Sequence, residues 1–113
     1  MSVSNVSGLI GQPSAINSQS SSYTLASTDA SKVILATSSS SNTITVPLYS
    51  VAGIPVGSKV SVIQYGAGQV TFAGASGVTI NGTPGLKTRA QYSRAELIQV
   101  STDAWVLYGD ISA

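Results

Sequence analysis

Few side chains in this chain are suited to reactive chemistry. Asp103 and Asp110 flank the single tryptophan, Trp105, in the run STDAWVLYGD. Two carboxylates on either side of a sugar can hydrolyse it, at roughly 5–5.5 Å apart for retention or 6.5–9.5 Å for inversion. The plainer reading is a turn aspartate and a solvated aspartate near the chain end, and it is preferred. There is no histidine, so Ser-His-Asp triads and imidazole metal sites lack their parts. Cysteine is also absent, which excludes disulfides and thiolate chemistry and leaves the redox compartment undetermined. The four acids, Asp29, Glu96, Asp103 and Asp110, form no cluster of the kind calcium needs. The expectation is a protein that is not an enzyme, with no catalytic residue, no metal and no cofactor.

Two further patterns invite a functional reading. Tyr65-Gly66-Ala67-Gly68-Gln69 places a GxG after a strand-like run, as a dinucleotide fingerprint does. That fingerprint needs a helix next, to receive the pyrophosphate at its N-terminus. The following Val70-Thr71-Phe72 reads as a strand, so the glycines are expected to form a hairpin turn. The aromatics are the other pattern. Tyr92, Trp105 and Tyr108 combine flat apolar faces with polar handles and are candidates for stacking on a glycan. For Trp105, packing as a core anchor is the preferred alternative.

The elements that must position these residues are strands. Tyr23-Thr24-Leu25, Lys32 to Thr37, Asn42 to Val46, Ser58 to Tyr65, Gln69 to Ala73 and Val78 to Ile80 are rich in β-branched residues. Pro47 ends one run, and Asn81-Gly82 is the strongest short turn signal. Asp29 or Ser27 is placed to cap a brief helical turn. A hairpin is expected from Tyr92 to Ser101 and Trp105 to Tyr108 across Thr102-Asp103. VTFAGASGVTING suggests a small meander or one β-helix-like rung, too few for a solenoid. The fold class expected is all-β, a small antiparallel β-sandwich or barrel, over residues 23–113. Residues 1–22 read as an extended N-terminal arm, with Val3, Val6, Leu9, Ile10 and Ile16 as candidate anchoring side chains.

Composition narrows the partners. Charged residues make up 8% of the 113, against roughly 25% in an average soluble domain, and Ser and Thr take their place. Such a surface lacks the like-charge repulsion that keeps monomers apart, so self-association is expected. The net charge is +1, and only Lys87, Arg89 and Arg94 lie close together in sequence, which argues against nucleic acid. No segment reads as a signal peptide or membrane span, so no membrane partner is expected and folding in the cytoplasm of the producing cell is.

Taken together, Tyr23-Thr24-Leu25 with Asp29, GSKVSVIQYGAGQVTFAGASGVTING and RAQYSRAELIQVSTDAWVLYGDI resemble a recurring domain of tailed-bacteriophage virion proteins. The matching positions include Gly66, Gly68, Gln69, Phe72, Gly77, Gln91, Tyr92, Trp105, Gly109 and Asp110, and none is catalytic. The resemblance implies a structural role in the virion. Fibre versions follow long upstream segments, whereas here about twenty residues precede the domain. A capsid decoration protein is therefore expected, bound to the major capsid protein and forming a homo-oligomer, with a trimer favoured. The alternative is a tail-fibre or tail-tip module that binds host glycan.

Overall fold

The chain winds between two sheets as it advances. The computed structural model describes residues 13–113. Strands β1 (Ile16–Gln19), β3 (Val33–Ala36) and β5 (Lys59–Gln64) lie in one sheet. Strands β2 (Tyr23–Thr24), β4 (Asn42–Val46) and β6 (Val70–Gly74) lie in the other. Each strand after the first coil pairs in parallel with its counterpart one turn back. Ile16 sits beside Val33 and Val33 beside Ser61, while Tyr23 sits beside Ile44 and Ile44 beside Phe72. These six strands are three stacked coils of a β-solenoid.

The remaining strands close the far side. They are β7 (Thr79–Gly82), β8 (Lys87–Thr88), β9 (Arg94–Ser101), β10 (Ala104–Gly109) and β11 (Ile111–Ser112). The six-stranded sheet runs β1-β3-β5-β9-β10-β7 and the five-stranded sheet β11-β8-β6-β4-β2. A four-residue helix, α1 (Tyr49–Ala52), and a 3-10 turn at Ser27–Asp29 are the helical pieces among the described residues. No helix among them is long and apolar enough to cross a membrane.

The expected all-β, two-sheet architecture is therefore present. Its pairing, however, is mixed rather than antiparallel, with five of the nine strand pairs parallel. The reason lies in the glycines. Gly66 and Gly68 do not make a hairpin, because β5 and β6 belong to different sheets. They form a corner that presses on the preceding corner, at Thr37 to Ser41. A Cβ on Gly66 would fall 2.2 Å from the Ser38 carbonyl oxygen, and one on Gly68 2.0 Å from that of Ser40. Only glycine lets two corners stack this closely. Asn81-Gly82 likewise makes no hairpin: both residues lie inside β7, where Asn81 sits beside Val106 of β10. The β9–β10 hairpin across Thr102-Asp103 forms as expected, with Asp103 left-handed at φ 59°.

The core lies between the sheets. Period-2 alternation buries Asn42, Ile44 and Val46 of β4, Val60, Val62 and Gln64 of β5, and Ala95, Leu97 and Gln99 of β9. Ile34, Val70, Phe72, Trp105 and Leu107 complete it. The two buried glutamines are bonded within the core. Gln64 receives the Thr88 hydroxyl, and Gln99 donates to the carbonyls of Ile54 at 2.7 Å and Pro55 at 3.0 Å. Regular structure begins ahead of Tyr23: Ile16, counted with the N-terminal arm, belongs to β1. Val3, Val6, Leu9 and Ile10 lie outside the described residues.

Candidate functional site

The outward faces of the two sheets differ in chemistry. On the five-stranded sheet the register aligns Thr24, Thr45 and Ala73 in one row and Thr43, Thr71, Lys87 and Ser112 in the next. That face is mostly hydroxyl, with Lys87 its one charge in these rows. On the six-stranded sheet one row runs Ile16, Val33, Ser61, Glu96, Tyr108. Flanking rows bring Ile63 beside Arg94 and Lys59 beside Ile98. Charge and aliphatic surface are thus concentrated on the six-stranded sheet.

The middle of this face is a hydrogen-bonded chain. Arg94 donates from Nη2 to Ser61 Oγ at 2.9 Å, and Ser61 donates onward to Glu96 Oε2 at 2.9 Å. The Tyr108 hydroxyl donates to the other carboxylate oxygen of Glu96. That bond is the main cause holding the Glu96 carboxyl below the usual glutamate range; partial burial opposes it, and Ser61, Lys59 and Arg94 reinforce it. The same bond pushes the Tyr108 phenol up. Two adjoining cavities open beside the chain. One, of about 200 Å³, is lined by Ser14, Ser31, Lys32, Lys59, Ser61 and Arg94, with Val33 and Glu96. The other, of about 240 Å³, lies among Arg94, Ala95, Glu96, Tyr108 and Gly109.

Local folding explains how these groups meet. Ser31 takes a left-handed conformation at φ 66° and donates its N–H to the Lys59 carbonyl at 2.7 Å, which lays the Ser31-Lys32 turn beside the start of β5. Antiparallel pairing of β5 with β9 then brings Ser61 opposite Glu96 and Ile63 opposite Arg94. The single ion pair among the described residues is elsewhere, between Arg89 and Asp110 at 2.7 Å. Lys32, Lys59 and Arg94 therefore line the groove without a carboxylate at ion-pair distance.

The residues singled out from the sequence fall in separate places. Trp105 is 1% exposed and packs in the core, so it is no sugar platform. Tyr92 is 66% exposed, left-handed at φ 71°, and meets Tyr65 edge to face at 5.8 Å. Of the three aromatics, Tyr108 alone lines the groove. Asp103 accepts the Tyr49 N–H at 2.7 Å and so caps α1 across the fold. Asp110 accepts two bonds from Arg89, at 2.7 and 2.9 Å, and one from Ser93 at 2.7 Å. Arg89, and to a lesser extent Ser93, hold its carboxyl below the usual aspartate range. Both carboxylates act as structural ties. Lys32, Lys59, Ser61 and Glu96 were not singled out from sequence, since only the pairing of β5 with β9 reveals that they converge. No family model, curated protein or solved structure matches this chain.

Proposed function

We propose that this chain is a structural module of a tailed-bacteriophage particle, a capsid decoration protein that attaches through the β1–β2 end of its coil. The observation that carries this reading is the first coil, whose outer side is covered by no other described strand. Strands β1 and β2 are consecutive in the chain and form the outer edges of the two sheets. Solenoid ends are ordinarily capped, and exposed edge strands are ordinarily blunted by charge, proline or bulges. From Ser14 to Leu25 there is neither a charged residue nor a proline. In β1, the flanking carbonyls of Ala15 and Gln19 accept bonds from Val33 and Thr37 of the β3 side. The alternation leaves Ile16 and Ser18 with outward-facing backbone groups. Such an edge accepts an added strand from a neighbouring chain.

The major capsid protein is the proposed neighbour, with copies of the module grouped as trimers on local three-fold axes. A host-glycan module of a tail fibre or tail tip is the second reading, favoured by the unpaired cations of the groove. The attachment is tested by Ser18→Pro, which removes an outward N–H and leaves the bonds to β3 in place. The variant is expected to keep its β-sheet circular dichroism and lose occupancy on purified particles. Undiminished decoration by the variant would refute attachment through this edge.

A further inference from the structure

We infer that the groove on the six-stranded sheet binds a saccharide bearing a carboxylate, with Arg94, Lys59 and Lys32 receiving the charge. This deepens the glycan reading and does not depend on attachment to a particle. Three cations surround one carboxylate there, and that carboxylate takes its hydrogen bonds from the hydroxyls of Tyr108 and Ser61. The groove is thus left with two positive charges that no described side chain neutralises. In a protein whose charged residues are only 8% of the total, such a concentration is a specific feature. Arg94 commits Nη2 to Ser61, which orients a guanidinium fork suited to paired oxygens.

The remainder of the lining favours a sugar over an acidic peptide. Ser14 and Ser31 supply hydroxyls that donate and accept, while Ser61 and Tyr108, whose protons go to Glu96, supply acceptors, matching the alternating donors and acceptors of a pyranose. The half-exposed Tyr108 ring gives a flat apolar face beside them. Each cavity, at about 200 and 240 Å³, is below the roughly 300–1,000 Å³ of drug-sized sites and suits one sugar unit.

The full chain would be titrated with sodium glucuronate, its neutral methyl ester, inorganic phosphate and a short oligoglutamate, reading amide chemical shifts. The expected result is saturable shifts at Ser31, Lys59, Ser61, Arg94 and Tyr108 with glucuronate, and affinity at least tenfold weaker for the ester. Arg94→Gln and Lys59→Gln, both at exposed positions, should each weaken glucuronate at least fivefold with the β-sheet circular dichroism retained; Arg94→Lys should restore part of the loss. No shifts in the groove with glucuronate, or equal binding of acid and ester, would overturn the proposal. So would phosphate or oligoglutamate binding as tightly as glucuronate. Particle decoration by Arg94→Gln reports separately on the attachment reading, which this substitution leaves intact.

Discussion

Asp29 is a fully buried carboxylate that faces no cation. It is held by three donors, Tyr23 Oη at 2.7 Å, the Ala26 N–H at 2.8 Å and Asn17 Nδ2 at 2.9 Å. Those donors come from β1, β2 and the 3-10 turn, so one side chain closes the first coil. Asp29→Ala strands all three and is expected to lower the unfolding free energy by about 3 kcal/mol, read from urea midpoints. Glu96 and Asp110 have carboxyls held below their usual range, by Tyr108 and Arg89 respectively. Their contribution to stability is present above the unfolded carboxylate range and is lost as pH falls through the lower folded values. Tyr23, pushed up first by burial and then by Asp29, and Tyr108, pushed up by Glu96, behave in the opposite sense. Their contribution is present below about pH 10 and is lost as pH rises beyond it. Melting temperature against pH should therefore show a plateau from about pH 5 to 9 with losses on both sides. In Tyr108→Phe the Glu96 carboxyl should titrate at higher pH by NMR, because its main stabilising donor is gone.

At the scale of elements, the corner glycines show what the sequence could and could not reveal. The runs NTITV, Ser58 to Tyr65 and Tyr92 to Ser101 are visible in the chain as strands, and each contains one. The partner of each strand is not visible. A two-sheet coil sends a chain away and back before it pairs, so Val33 meets Ser61 rather than anything nearby. Gly66-Ala67-Gly68 carries the same residues as a hairpin turn, although the force on it is contact with another corner. The groove is hidden in the sequence for the same reason: Lys32, Lys59 and Arg94 are scattered in sequence and converge through register. Tyr108 is a stacking candidate in the sequence beside Tyr92 and Trp105, without the Glu96 partner that gives it a place in the groove. Gly68→Ala should cost about 2 kcal/mol or more by denaturant titration, since its Cβ meets backbone that cannot move aside. Gly53→Ala, with open space around the Cβ and only a left-handed φ of 69° to strain it, should cost about 1 kcal/mol.

Across the whole molecule, three surfaces differ in chemistry. The five-stranded sheet presents mostly threonine and serine to its surroundings, the six-stranded sheet presents the cationic groove, and the coil end presents the edges of β1 and β2, which pair with no further described strand. A module built this way can hold a particle by one end and leave both sheet faces for other contacts. Attachment through β1 and β2 requires that the coil end be covered in the assembly. Because the chain has no native cysteine, a single Ser18→Cys can be labelled with maleimide in free protein and in intact particles. Thr45→Cys on the five-stranded sheet serves as the reference position. Attachment through the coil end predicts that the cysteine at position 18 labels readily in free protein and is protected on particles, while the one at position 45 labels in both. Equal labelling of position 18 in free protein and on particles would contradict it.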